Sequence, residues 1–508
     1  MNSNANLKSS VSVFLVALPL CLGLAIASGA QPVSGLIAGI IGGIVVGYLS
    51  NSPISVAGPA AGLTVVVVDT IATMGGFPQF LSSLIFAGLF QIAFGLMRGG
   101  MVGNFFPTSV IQGLLTAIGL LLVFKQLPHA VGYDVNYEGD DSFHTLTGEN
   151  TFAEIFHGFQ HVHLHALTVF ACGIVFYVIY ERLNKKKSRF ATMIPTALAT
   201  VVVGLSVNSF LGFLMPDSRL TGSHLVQLPG FREFFSAMTF PDLPALWSVK
   251  AVTCGLTMAM IASLETLLNI DASDKLDPLK RITSRNRELV AQGVGNIFNG
   301  FLGGLPVTSV VVRTTVNVSA GGNAKSSTIY HGVWLMLSVF LASVLNLIPL
   351  SALAVILIMV GYKLCHPGVF ASMFKKGWNQ FIPFIATVVA ILFSNLLTGT
   401  VIGILVGLVF VIRTNVFYAI VMVNEGNNYL IRMQKDVSFL NKSKLREILL
   451  TVPDNAYLIV DGSRTVHIDF DIMETLRDFF EQAPSRGITV ELKKSTSAIS
   501  PMFMEELT

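Results

Sequence analysis

The stretch GGLPVTSVVVRTT, residues 303–315, places a proline, Pro306, and an arginine, Arg313, within apolar sequence. Two kinds of group there can act on a ligand. Arg313 carries a fixed positive charge. Thr308, Ser309, Val310 and Val311 follow the proline, and a helix starting there leaves its first backbone N–H groups without partners. Those amides and the positive end of the helix dipole suit an anion. Proline fits such a start, because its missing N–H is not needed there.

The pattern recurs at 52–70, SPISVAGPAAGLTVVVVDT, where Gly58-Pro59 answers Leu305-Pro306 and Ala60 and Ala61 follow. Each stretch has a short apolar approach, a Gly/Pro step, small residues and a β-branched helix. From Ser309 to Ala320 is about a dozen residues, roughly 18 Å at 1.5 Å per residue. That is about half of a hydrocarbon core of roughly 30 Å. Both helices would then start near mid-membrane, where two facing N-termini can hold an anion without a side-chain charge. Irregular backbone at that depth is tolerated only inside protein or beside a water-filled cavity. The plainer reading is a pair of kinked, through-going helices. The matched positions of the two breaks favour half helices.

Charged side chains add to this picture. An arginine in an apolar centre costs at least ~2.5 kcal/mol. Arg313 should therefore face the cavity and add positive potential behind an anion, the alternative being a side chain that snorkels to the interface. Glu265, in MAMIASLETLLNIDASDK, has apolar neighbours on both sides. Buried, it must pair with a cation, Arg313 included, or take up a proton, since burial disfavours the charged form. Asn269 lies one turn further on the same face. Asp271 and Asp274 fall near a basic loop and read as structural. HGFQHVHLH supplies His157, His161, His163 and His165, which could bind a metal. The ligand spacing is irregular and no cysteine accompanies it, so an interfacial helix with exposed histidines is the expectation.

The elements that position these groups are membrane spans. The 508 residues are 52% hydrophobic and 12% charged, with a mean hydropathy of +0.68. A soluble α/β protein needs more polar surface. Runs near 11–30, 32–49, 77–97, 108–124, 164–180, 327–347 and 397–423 are each of membrane-crossing length. About fourteen spans are expected, the first of them retained and not a cleaved signal. The breaks fall in spans three and ten. Seven spans separate them, so the two halves enter the membrane in opposite directions, as in an inverted repeat. Cys21, Cys172, Cys254 and Cys365 form no C-x-x-C pair and imply neither disulfide nor zinc. The net charge of +3 gives no reason to expect nucleic acid as a partner.

Basic residues set the orientation. Arg182, Lys185, Lys186, Lys187 and Arg189 follow span six. Lys275, Lys280, Arg281, Arg285 and Arg287 follow span eight. Lys363, Lys375 and Lys376 follow span twelve. By the positive-inside rule those ends, and both termini, are cytoplasmic. The loop at 128–163 has no lysine or arginine but holds Asp134, Glu138, Asp140, Asp141, Glu149 and Glu154, and is placed outside with 216–247. From residue 425 apolar runs shorten. Strands are expected at 428–434, 456–462 and 487–494, and amphipathic helices at 442–452 and 471–483, giving a cytoplasmic α/β domain over 425–508 behind a membrane domain over 1–424.

The segments VALPLCLGLAIASGAQPVSGL, ISVAGPAAGLTVVV, KQLPHAVGYDV, SLETLL and GGLPVTSVVVRTTVNVSAGG together resemble the SulP family of anion transporters. The resemblance implies a polytopic α-helical membrane protein with two inverted seven-span repeats, discontinuous helices three and ten, gate and core subdomains, and a cytoplasmic STAS domain. It implies substrate binding at Pro59, Ala60, Ala61, Thr308, Ser309, Val310 and Val311, mainly through backbone amides, with Leu20 and Leu24 as the span-one wall. Glu265 matches the acidic residue that holds sodium in bicarbonate-transporting members, while Asn269 stands where a hydroxyl residue can occur. Phe470 follows Asp469 where soluble STAS relatives place a phosphorylatable serine, so a reduced regulatory or dimer-stabilising role is expected of that domain.

The expected function is a secondary transporter of a small inorganic anion (bicarbonate, sulfate or chloride) in the cell (inner) membrane. It would be a homodimer working by elevator-type symport with Na+ or H+, without any cofactor beyond Na+ as coupling ion. A nucleobase permease of the same plan, a membrane enzyme using the histidine cluster, and a non-transporting sensor acting through the terminal domain are the alternatives.

Overall fold

The computed structural model describes residues 3–136, 143, 150–185, 194–215, 220–434, 436–465 and 468–493. Lys186, Lys187, Arg189, Glu138, Asp140, Asp141 and Glu149, which bear on the orientation expected above, lie outside the described residues. The chain divides into two compact units, Met1–Ile404 and Leu405–Thr508.

The first unit is a helical membrane bundle. Its helices are α1 (Ser3–Ala27), α2 (Pro32–Leu49), α3 (Thr64–Met74), α4 (Phe77–Leu96), α5 (Thr108–Val131), α6 (Leu164–Lys185), α7 (Thr196–Leu214), α8 (Val249–Leu276), α9 (Arg285–Leu302), α10 (Val311–Ser319), α11 (Lys325–Ser338), α12 (Leu350–Leu364) and α13 (Trp378–Phe393). The next helix, α14 (Leu396–Ala419), begins in this unit and ends in the second. Among the described residues, eight helices are both long and apolar enough to cross a membrane. α3 and α10 are half-length, as the Gly/Pro steps imply. The span expected over 327–347 is broken as well. α11 stops at Ser338, and only a short helix, Ala342–Leu345, follows a turn. Nothing in its apolar composition announced that stop.

Helix contacts sort the bundle into two groups. α1–α4 and α8–α11 pack on one another, and α5, α6, α7, α12 and α13 form the second group. Close approach depends on facing glycines, which let backbones touch where a side chain would not fit. A methyl group added at Gly88 of α4 would lie 2.5 Å from the Gly293 carbonyl of α9, and one at Gly293 would lie 2.6 Å from the Gly88 carbonyl. A methyl at Gly43 of α2 would lie 2.5 Å from Gly332 Cα of α11. Shifting each helix number by seven turns the first contact into the second. Gly119 of α5 and Gly361 of α12, which the same shift exchanges, stand 2.6–2.7 Å from each other's added methyl by the same measure. The inverted repeat is therefore built into the helix contacts.

The second unit carries a four-stranded sheet in the order β3-β4-β5-β6, made of β3 (Ile420–Glu425), β4 (Asn428–Met433), β5 (Tyr457–Asp461) and β6 (Thr489–Lys493). β3 and β4 form an antiparallel hairpin, and β4, β5 and β6 run parallel. α15 (Lys442–Leu450) and α16 (Phe470–Gln482) supply Leu445, Ile448, Ile472 and Leu476 to its core. The expected boundary at 425 falls at the end of β3. Strand β3 continues an apolar run, so alternation could not separate it from the last span. Asp469 caps α16 through its carboxylate, and Phe470 beside it is exposed.

Overpacking a close contact costs about 1–3 kcal/mol. Gly293→Leu should therefore lower the thermal-unfolding midpoint of the solubilised protein or leave no monodisperse species in size-exclusion chromatography. An unchanged midpoint would contradict the glycine contact.

Candidate functional site

The two interrupted spans cross as strands. β1 (Ala57–Pro59) pairs antiparallel with β2 (Val307–Ser309), joining Ala57 to Ser309, Gly58 to Thr308 and Pro59 to Val307. Backbone in the middle of a bilayer must have its polar groups satisfied, and a two-stranded ladder leaves both outer edges open. Side-chain amides take the place of further strands. Asn296 of α9 accepts from the Val307 N–H at 2.7 Å and donates to the Val307 carbonyl at 3.3 Å and to Gln91 Oε1 at 2.6 Å. Asn269 of α8 donates to the Ser309 carbonyl at 2.7 Å. Asn317 of α10 donates to the Ile54 carbonyl at 2.8 Å, and Thr328 of α11 donates to that of Ser55 at 3.1 Å. Thr314 Oγ1 accepts from the Val56 N–H at 3.1 Å, and the Ser55 and Ser309 hydroxyls are 2.6 Å apart.

Each strand feeds a helix start. After Ala60 the chain makes a tight turn, Ala61–Leu63, and enters α3. After Ser309, Val310 is extended and α10 begins. Neither start is capped by a side chain. Because the strands are antiparallel, the helices leave opposite ends of a ladder on the order of 10 Å long, running in opposite directions. Gly58–Ala60 and Val307–Ser309 are buried, while Ala61, Gly62 and Val310 are half-buried and form the open edge. Pro59, Ala60, Ala61, Thr308, Ser309, Val310 and Val311 are thus brought together. α1 packs on both β1 and α10. Its Leu20 and Leu24 are buried, Leu20 in one apolar cluster with Val311 and Val312.

Arg313 is completely buried, so it does not snorkel. Its guanidinium lies directly against Gly58, where a Cβ would collide with Nη1. Nη2 donates to Cys21 Sγ of α1 at 3.2 Å, while Nε and Nη1 have no hydrogen-bond partner. Arg313 is in none of the ion pairs found among the described residues. Glu265 reaches Gly62, where an added Cβ would sit 2.8 Å from its Oε1. A buried cation under residue 58 and a buried carboxylate against residue 62 therefore flank the Pro59-Ala60-Ala61 turn. Asn269 keeps its Oδ1 buried without a hydrogen-bond partner.

The other charged residues hold structure. Asp271 pairs with Arg285 at 2.8 Å, and Asp274 accepts from the Thr283 N–H at 2.8 Å and hydroxyl at 2.6 Å. The four histidines of 157–165 do not converge. His161 is exposed, His157 and His163 are half-buried and His165 is buried, and among the described residues no group of three His, Cys, Asp or Glu side chains is placed to hold a metal ion. Sequence reasoning missed Gly62, Asn296, Thr314 and Asn317. The available signal was the polar amide and hydroxyl residues inside otherwise apolar helices.

The sequence pattern of the sulfate permease family matches residues 4–387. Among curated relatives, YvdB of Bacillus subtilis (strain 168), named provisionally as a sulfate transporter, is 28% identical over 80% of this chain and 73% of its own. The bicarbonate transporter BicA of Synechocystis is 23% identical over 97% of this chain and 89% of its own. The bovine sodium-independent sulfate anion transporter is 23% identical over 95% and 82%. Among solved structures, the murine solute carrier 26 family member A9, an anion transporter in the inward-facing state, has the same fold with a TM-score of 0.69 at 18% identity, over 99% of this chain and 87% of that one. The transmembrane domain of a cyanobacterial BicA follows with 0.53 at 22% identity, over 80% and 97%.

Leaving the buried Val307 groups unsatisfied costs about 1–3 kcal/mol. Asn296→Ala should lower the unfolding midpoint accordingly, and an unchanged midpoint would mean that the amide does not hold β2.

Proposed function

The chain belongs to the sulfate permease family, and we propose that it is a secondary transporter of a small inorganic anion such as bicarbonate, sulfate or chloride. One observation carries this reading: two helix starts without a side-chain cap meet at a buried strand crossing, with a guanidinium behind it whose Nε and Nη1 have no hydrogen-bond partner. The amides after Ala60 and Val310 bind the anion. Arg313 raises the potential from below without contacting solvent. The resulting site is positive without a mobile charged side chain, which suits a ligand that must also leave.

Glu265 and the Asn269 Oδ1 offer oxygen ligands for a sodium ion one helical turn apart on α8, next to Gly62. A cation there offsets the anion's charge and ties the two fluxes together. The names of the relatives support sulfate or bicarbonate as the anion, and Glu265 favours bicarbonate with sodium. No enzymatic step belongs to this site, because family membership makes the chain a transporter.

Movement of the α1–α4 and α8–α11 group past the α5–α7 and α12–α13 group would carry the crossing between the two faces, as an elevator does. A cavity of about 480 Å³ between these groups supports this reading. Lys8 and Ser12 of α1 and Ser319 of α10 line one wall, and Tyr177, Glu181 and Lys363 line the other. It opens at the end of α10 away from β2. The basic residues around 275–287 and 363–376 favour the cytoplasm for that end, and with it for both termini. The second unit is assigned a regulatory or dimer-stabilising role in a homodimer.

Proteoliposomes should take up labelled sulfate or bicarbonate saturably, and faster with an inward sodium gradient. Glu265→Gln should remove the sodium effect. Arg313→Gln should raise KM for the anion, because the positive charge behind the site is lost. No saturable uptake of bicarbonate, sulfate or chloride would contradict the proposal, and sodium-insensitive uptake would contradict the coupling.

A further inference from the structure

At the end of α5 away from the basic loop, titratable side chains from three parts of the chain come together. Asp134 lies just after α5, and its side chain is buried. Its carboxylate accepts a hydrogen bond on each oxygen, from His129 Nδ1 on the last turn of α5 and from His224 Nδ1 in the turn Gly222–His224, both at 2.6 Å. His163, just before α6, places its ring 5.2 Å from that of His224 and 6.1 Å from that of His165, with its Nδ1 buried and unpartnered. One turn deeper on α5, Lys125 and Glu154 form an ion pair of their own at 3.3 Å.

The turn bearing His224 runs on into a segment tied to the chain before α12. Leu225 bridges Pro349, the Val226 N–H donates to the Ile348 carbonyl at 3.0 Å, and the Leu228 N–H donates to Asn346 Oδ1 at 2.7 Å. A cavity of about 130 Å³ lies between this assembly and α1. Pro19, Leu22, Gly23 and Ile26 form its α1 wall, none of them titratable, and Asp134, Ser223 and Gln227 are among the residues opposite. The same stretch of α1 carries Leu20 and Leu24 beside the strand crossing.

We propose that Asp134, bridging His129 and His224, is a proton-operated latch that holds the segment 222–228 in place opposite α1, so that external pH sets how readily the transport site opens to that face. The effect on flux rests on the transport reading above; the latch itself does not.

The direction follows from the contacts. The hydrogen bond to Asp134 raises His224 above the usual histidine value, against the effect of burial. Burial pushes the Asp134 carboxyl up, but the bonds from His129 and His224 outweigh it and leave the group below the usual carboxylate range. Burial, and then the charges of His224 and His165, lower His163. A raised histidine contributes stability in full below its unfolded value of about 6.5 and loses it as pH rises through the folded value. A depressed carboxylate contributes above about 3.9 and loses its part as pH falls through the folded value. The latch is therefore tight in mildly acidic medium and slackens as the medium turns alkaline. His163 has the opposite slope. It must stay neutral beside a charged His224, so stronger acid works against the closed form.

The full-length protein in lipid nanodiscs tests this by hydrogen–deuterium exchange at about pH 5.5 and about pH 8, corrected for intrinsic rates. Amides of 222–228 should exchange several-fold faster at the higher pH, and Asp134→Asn and His224→Gln should remove that difference. Should Asp134→Asn fail to fold, His224→Gln, at a partly exposed position, carries the comparison alone. Sulfate uptake, whose substrate charge is constant over this range, should rise with external pH at fixed internal pH in the parent and stay flat in His224→Gln. Equal protection at both pH values in the parent, or a pH difference that survives in His224→Gln, overturns the latch. Loss of all sulfate uptake with the exchange difference intact would count against sulfate as the transported anion and leave the latch standing.

Discussion

Backbone that leaves the helix in the middle of a bilayer must have every N–H and carbonyl satisfied by protein or by ligand, since no bulk water reaches them. In this chain that requirement falls on about six residues, Ala57–Pro59 and Val307–Ser309. They satisfy each other through a short antiparallel ladder, and three asparagines and two threonines complete the adjoining backbone. At the crossing, the backbone groups that no side chain caps are at the starts of the two half helices. In the proposed function a ligand is the partner for what remains, its charge matched to the helix dipoles and Arg313. Binding is in this sense the unfinished part of a hydrogen-bond network.

The rest of the bundle serves that crossing. Arg313 and Glu265 can approach the turn at Pro59 only because residues 58 and 62 are glycine. The Gly88–Gly293 contact holds α9, which packs on β2, and the Gly43–Gly332 contact holds α2, which packs on β1, and α9 carries Asn296 on the turn following Gly293. An inverted repeat makes one such contact imply the other. This explains why two helix breaks nearly 250 residues apart in sequence, at Pro59 and Pro306, lie in register.

Much of the site was legible because membrane chemistry punishes exceptions. A proline, a glycine pair or an arginine in an apolar run needs a reason, and each of Gly58-Pro59, Pro306, Arg313 and Glu265 proved to lie at one point. The supporting residues were less legible. Asn296 and Asn317 have no spacing signature, since what they satisfy is backbone distant in sequence. Gly62 was hidden because a glycine beside two alanines looks like ordinary small-residue packing. The start of β3 at Ile420 and the stop of α11 at Ser338 were masked by apolar runs that fit strand, helix or turn alike. The histidine stretch was uninformative in another way. His163 and His165 stay together, but the partners that matter, Asp134 and His224, come from outside it.

The proposed anion site is the set of backbone amides at the crossing. Selenate is the direct probe, because its selenium scatters anomalously and its shape follows sulfate. Crystals grown with selenate should show an anomalous peak within hydrogen-bond distance of the amides of Ala61 or Gly62 and of Val311 or Val312. A peak among Lys8 and Lys363 in the larger cavity, with none at the crossing, would contradict it.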